Sequence, residues 1–299
     1  MNTFRARIRP RSAARTPWLA DTLFGQLCWQ VRYAQGEAGL AELLAHYRAG
    51  APPLLFSDGF PVGWLPGPIG FGAPSLVREA AFEALRRGER VAAFEKPAFA
   101  QGRVVLKGSA SRLNGAWPGD APASQGYRVE ELALAEPQLD GRQGLDICVY
   151  VRAADSAWAT RARGWLEQLA LGGYGAGKSA GYGQFELIDW EAWPGFDEAP
   201  PRANSFISLS NWVPARHDPT DGSYATLVKY GRLGEELAAS ANPFKLPLLM
   251  LAAGSYFRAT PARPWYGRLV EQIAELRDLP IVQYGYAFAV AAALPIPST

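Results

Sequence analysis

The chain opens on a strict alternation, with Phe4, Ala6 and Ile8 apolar and Arg5, Arg7 and Arg9 basic. A two-residue period is that of a strand with one buried face, here with a basic outer face. The period then lengthens. In "TLFGQLCWQVRYAQ", Leu23, Leu27 and Val31 recur at helical spacing, with Asp21 standing as N-cap. "LAELLAHYRA" predicts a second helix, and "GAPPLLFSDGFPVGWLPGPIGFG" reads as loop on its prolines and glycines. "LVREAAFEALRRG" predicts helix, and Lys96 to about Gly126 form a long irregular insertion with strand-like pieces such as "RVVLKG". Insertions of that length in a compact domain are usually functional or mobile. "LDICVYVRA" predicts a strand, "AWATRARGWLEQLALGG" a helix stopped by glycine, and "YGQFELIDW" a strand. Beyond the proline-rich "EAWPGFDEAPPRAN", strands are predicted in "SFISLSNWVP", "LPLLMLAAGSYF" and "VQYGYAFAVAAAL", with "WYGRLVEQIAELRD" as a helix between the last two. Strand, helix and strand pair on both sides of that boundary predict an α+β chain of two split-βαβ units.

Composition narrows the class. A length of 299 residues suits roughly two domains, and 48% hydrophobic with 19% charged residues describes an ordered globular protein. A net charge of +2 does not by itself point to nucleic acid. The kind of charge says more: 25 arginines stand against 5 lysines, and Arg5, Arg7, Arg9, Arg11 and Arg15 precede the first acid, Asp21. Arginine makes planar, bidentate contacts with phosphate and stacks on bases. Cys28 and Cys148 lie far apart with no C-x-x-C, which excludes a zinc knuckle and a disulfide framework. They read as buried thiols of a cytoplasmic protein. With no apolar signal core and no run approaching ~18 apolar residues, no membrane association is expected.

Residues 172–179, "GGYGAGKS", fit the phosphate-loop pattern G-x-x-x-x-G-K-[ST]. A phosphate loop is entered from a strand and left into a helix whose N-terminus faces the phosphate. Here a predicted helix enters and a predicted strand leaves, and Gly181 and Gly183 lie where the helix should run. The sequence therefore argues against a nucleotide triphosphatase. A loop this rich in glycine instead exposes N–H groups and allows close approach of another backbone, an RNA backbone or a plain connector.

The same residues, "GYGAGKSAGYGQF", with Gly173, Gly175, Gly181 and Gly183 between helix and strand, resemble the G-φ-G-x-x-x-x-x-G-φ-G signature of the RAMP superfamily of CRISPR effector proteins. "RPRSAARTPWLADTLFGQLCW", "PPLLFSDGFP", "LPGP", "KGSASRLNGAW", "YRVEEL", "NPFKLPLLMLAAGSYF" and "QYGYAFAV" are similar, in order, to blocks of one branch, the fourth Csm subunit that caps the crRNA 5′ end in type III-A complexes. The chain departs from that branch at Gly108, Ser109 and Ala110, where an asparagine and an isoleucine are usual. The resemblance implies two ferredoxin-like domains, at 1–194 and 195–299, with a β-hairpin thumb inserted at about 96–126 and the glycine-rich loop at 172–183. It implies a cofactor-free, non-catalytic subunit that grips the 5′ tag of crRNA and docks against the large polymerase-like subunit and RAMP backbone subunits.

A single-stranded tag requires phosphate neutralisation, close backbone approach and stacking. The expected RNA contacts are Arg11 and Arg15 after the first strand, Gly175, Gly177, Lys178, Ser179 and Gly181 in the glycine loop, and Lys245 between prolines. Lys107, Ser109, Arg112 and Asn114 are expected to contact RNA from the thumb. Tyr182 and Phe185 are expected to pack in the core. Two other functions fit the composition: a metal-independent endoribonuclease, for which only His46 and His217 could serve as acid or base, and a protein scaffold. Both histidines read more simply as capping or surface residues, and no Asp spacing proposes a metal site.

Overall fold

The computed structural model describes residues 1–12, 14–95, 146–240, 242–274 and 281–294. The alternating N-terminus is β1 (Asn2–Pro10), with Ala6 and Ile8 buried. Its basic face is neutralised within the chain: Arg5 pairs with Glu191, and Arg7 and Arg9 both pair with Asp146 at 3.0 and 2.8 Å. Both expected helical stretches lie in α1 (Ala20–Arg48), divided at Gly36, whose φ of 72° is not helical. The helix starts two residues earlier than its sequence predicts. Asp21 is not the N-cap; Oδ1 of Asp58 accepts the N–H of Ala20 at 2.8 Å.

The Pro/Gly segment is not all loop. It contains β2 (Leu54–Phe56), β3 (Phe60–Pro61) and β4 (Trp64–Pro66), each with every residue buried. Short strands covered on both faces show no alternation, so their prolines and glycines dominate the sequence signal. β5 (Leu76–Arg78) pairs with β4 and leads into α2 (Glu79–Arg86). Then come β6 (Ile147–Ala153), α3 (Ser156–Gly172) and β7 (Phe185–Ala192). The N-cap of α3 is Asp155, which accepts the Trp158 N–H at 2.9 Å. The first sheet runs β2-β6-β1-β7 with every pairing antiparallel, and β3 also pairs with β6. α1 and α3 pack on each other and on this sheet.

The second half holds β8 (Ser205–Ser208), β9 (Gly222–Ser223), β10 (Thr226–Lys229), β11 (Leu248–Leu251), β12 (Tyr256–Arg258), β13 (Trp265–Val270) and β14 (Gln283–Ala292). Five of these form a sheet in the order β13-β14-β8-β12-β9, while β10 and β11 make a separate ribbon. The helix predicted over "WYGRLVEQIAELRD" is not formed at its start: Trp265–Val270 is β13, antiparallel to β14. Residues 275–278 of that stretch lie outside the described residues. The tertiary reason is aromatic. Tyr266 is buried and stacks on Phe206 of β8, ring centroids 3.9 Å apart, a contact that requires strand alternation. Among the described residues after 195 only 3₁₀ turns interrupt the strands, so the expected helix-bearing repeat of the first unit is not seen there.

The two halves share one core. A single cluster of buried side chains holds Ala6, Val151 and Leu166 together with Ile207, Phe288 and Val290. Two buried arginines stitch the seam. Arg152 of β6 donates to the carbonyls of Pro264, Ala289 and Phe196 at 2.8, 2.9 and 3.0 Å and to Oγ1 of Thr3 at 3.2 Å. Asp197 lies 3.5 Å away, and the guanidinium sits over the Phe288 ring. Burial lowers the Arg152 pKa to about 10, opposed by Asp197. Arg86 of α2 pairs with Glu83 and donates to the carbonyls of Gly195, Glu198 and Ala291.

Arg152→Ala would strand three carbonyls across the seam and leave Asp197 without this partner. Losing one partner of such a buried network costs about 3–5 kcal/mol. We expect urea denaturation of the variant to show a loss of that size, and the parent protein to unfold in one transition. Two resolved transitions in the parent would mean that the halves are independent.

Candidate nucleic-acid interface

α3 enters the glycine loop and β7 leaves it, the reverse of a phosphate loop. Between them Lys178–Ala180 form one 3₁₀ turn, flanked by Gly177 and Gly181 in left-handed conformation. No α-helix begins at Lys178, so no helix N-terminus is presented to a phosphate. Asp189 sits on β7, its carboxylate accepting the neighbouring Trp190 N–H.

The loop is built onto the segment 11–17. Tyr174 is fully buried, stacks on Trp18 at 4.0 Å, donates to the Pro17 carbonyl at 2.7 Å and accepts the Leu19 N–H. Ala176 N–H donates to Oγ1 of Thr16 and Gln184 N–H to Oγ of Ser12, both at 2.9 Å. The loop closes through Tyr174 N–H to the Gly183 carbonyl at 2.8 Å. The amides of Ala180, Gly181 and Tyr182 also bond back into the turn. Fewer amides therefore face outward than the glycine content implies, and the loop offers side chains instead. Arg15 lays its guanidinium over the Tyr182 ring at 3.9 Å. Tyr182 is thus not a core residue, contrary to expectation, whereas Phe185 is buried.

One wall of a cleft of about 1010 Å³ is formed by Gly175, Gly177, Lys178 and Ser179. α1 forms a second wall with Trp29, Arg32 and Tyr33, and the stretch 229–238 of the second half forms the third. Five cationic side chains in this lining, Arg32, Lys178, Lys229, Arg232 and Lys245, face three carboxylates, Asp21, Glu37 and Glu235. The floor is polar and buried. Asp21 accepts from Asn211 at 3.1 Å, from Lys229 at 2.9 Å and from Gln283.

Of the expected residues, Gly175, Gly177, Lys178, Ser179 and Lys245 meet in this cleft. Ser179 and Gly181 are exposed, and Lys178 pairs with Glu235. Lys245 is not held outward by its prolines. Its ammonium turns in to the Val282 carbonyl at 2.8 Å and Oε1 of Gln283 at 2.9 Å, and burial lowers its pKa to about 8, opposed by Asp21. Arg11 pairs with Glu186 on the surface, and Arg15 stands beside Gly177. Lys107, Ser109, Arg112 and Asn114 lie outside the described residues, as does the thumb. His46 packs edge-on against Trp158 near the end of α1, His217 is exposed, and neither lines the cleft. Among the described residues no group of three or more His, Cys, Asp or Glu is placed to hold a metal, and no helix is long and apolar enough to cross a membrane.

Two measurements test this architecture. A Cβ on Gly183 would meet the Tyr174 carbonyl at 1.8 Å, whereas one on Gly181 meets nothing within 4 Å, both at positive φ. Gly181→Ala therefore costs about 1 kcal/mol of conformational strain, and Gly183→Ala about 3 kcal/mol or more by chemical denaturation, because backbone must also move. Asp58 is buried, and desolvation raises its carboxyl pKa from 3.8 to about 7, with Asp21 adding to the shift. Between those values the unfolded chain binds fewer protons than the folded one, so this group makes stability fall as pH rises from about 4 to about 7. Asp58→Asn keeps the acceptor for Ala20 N–H and should flatten that part of the stability–pH curve.

No known family and no curated protein matches the chain by sequence. Solved structures do match by fold. A chain of the crystal structure of a Csm1–Csm4 cassette in complex with AMPPNP aligns over 98% of this chain and 99% of its own length, with a TM-score of 0.60 and 18% identity. The same cassette in complex with pppApA gives 0.59 at 17% identity. A chain of the Csm3–Csm4 subcomplex in the type III-A CRISPR-Cas interference complex covers 97% and 99%, with a TM-score of 0.56 and 12% identity. Over nearly its whole length, this chain has the fold of a subunit of type III-A CRISPR complexes, the same group that its ordered motifs resemble.

Proposed function

We propose that the protein is the non-catalytic, crRNA 5′-tag-binding subunit of a type III CRISPR interference complex. The observation that carries this reading is the cleft in which the glycine-loop residues Lys178 and Ser179, backed by Arg15 on Tyr182, face Arg32, Trp29 and Tyr33 of α1. Cations on all three walls, with aromatic rings on α1, are what a single-stranded, base-splayed polynucleotide needs. In this reading the first half is a ferredoxin-like unit, supported by its strand order β2-β6-β1-β7 with α1 and α3 as crossovers. The unit spans 1–194, carries a thumb in the segment after α2, and is followed by a second unit from 195.

Docking to the large polymerase-like subunit and to RAMP backbone subunits is the second part of the proposal. The β10–β11 ribbon supports it. Val228 and Leu249 are cross-strand partners, and with Tyr230, Phe244 and Leu246 each is at least half exposed. Exposed apolar side chains on the ribbon and in the stretches that flank it mark a protein interface.

The test is fluorescence anisotropy with a short 5′-tag RNA over a salt series. Binding should weaken with log[salt] at a slope of about −0.7 per neutralised phosphate. Arg15→Ala should weaken binding and lower the slope by about 0.7, with the fold intact by circular dichroism. A flat salt response would leave a protein scaffold. RNA cleavage without metal, abolished by His46→Ala, would instead make the chain a ribonuclease.

A further inference from the structure

We propose that the segment 233–238 is an acidic strap that occupies the cations of the cleft and must lift before a polyanion enters. The inference rests on the reading of the cleft as an RNA site. The strap is held at both sides of the mouth. Glu235 pairs with Lys178 of the glycine loop, and the next residue, Glu236, pairs with Arg32 of α1 at 3.1 Å. Two successive carboxylates thus reach two opposite walls, the charge pattern of two successive phosphodiesters. Glu235 holds φ at 50°, a left-handed conformation that a glutamate keeps only when its surroundings compensate. Here the compensation on view is the ion pair with Lys178.

The rest of the strap is lightly attached. Leu233 is buried and its N–H bonds to the Pro243 carbonyl at 2.7 Å, which anchors one end. Beyond it the Leu237 N–H bonds to the Gly234 carbonyl inside the segment, while the Ser240 N–H donates to the Leu237 carbonyl and Arg232 to the Ala238 carbonyl at 3.4 Å from its two flanks. Lifting the strap breaks the two ion pairs and the long bond from Arg232 to the Ala238 carbonyl, while Leu233 stays behind as the buried anchor. A phosphate competes with Glu235 for the Lys178 ammonium, and a closed strap lowers apparent affinity by the fraction of molecules that are open.

The experiment uses the intact protein, single-stranded 5′-tag RNA and two variants of equal charge change. Glu235→Gln removes the strap's main contact. Glu89→Gln removes an exposed carboxylate that does not line the cleft. Glu235→Gln should bind about fivefold more tightly than the parent, the order of a partly exposed ion pair, and Glu89→Gln should stay within about twofold. Hydrogen exchange of the parent should quicken over 234–240 and slow over 174–182 when RNA is added. Equal affinity of the two variants, or unchanged or slower exchange over 234–240 with RNA bound, would overturn the strap while leaving RNA binding intact. Absence of RNA binding by parent and Glu235→Gln alike at low salt would remove both the strap and the RNA reading.

Discussion

The structure depends on the seam that Arg152 and Arg86 hold shut. A charged guanidinium in a protein interior is tolerated only when its donors are met, and Arg152 meets carbonyls from 196, 264 and 289 at once. Those oxygens belong to three separate stretches of the second half, while Arg152 itself belongs to the first sheet. The fork geometry of arginine therefore fixes the relative position of the two halves in a way that apolar packing, which is not directional, does not. One continuous core across the seam is the result.

That fixed seam is what makes a cleft. Its walls come from α1 and the glycine loop on one side and from 229–238 and 281–284 on the other. Neither half alone encloses the site. The floor follows the same logic: Asp21 of the first half is met by Asn211, Lys229 and Gln283 of the second. A carboxylate buried at such a junction is stable only while both halves stay in register, so the polar floor and the seam support each other.

Much of the first half was legible in the sequence because its signals are local. The alternation of β1, the paired helical stretches of α1 and the run of α3, glycine loop and β7 need only a window of a dozen residues. The short strands β2 to β4 were hidden because buried strands lack alternation and theirs are crowded by prolines. β13 was misread because Trp265, Leu269 and Ile273 fall at helical spacing, while the stacking of Tyr266 on Phe206 that decides the matter spans some sixty residues of sequence. The candidate site divides the same way. Lys178 and Ser179 were visible through their glycines. Glu235, 57 positions from Lys178, carried no local sign of its role, and Lys245 between its prolines gave no hint that its ammonium turns inward.

The β10–β11 ribbon sets a condition on the free chain. Val228 and Leu249 lie side by side with their apolar surface in water, on a ribbon tied to the rest of the second half through the Trp212–Leu251 backbone pair. Water penalises that arrangement in proportion to the area left uncovered, and edge-exposed apolar strands are the places where chains adhere to one another. Covering that surface would lower the free energy of the folded chain, and leaving it bare favours self-association as concentration rises.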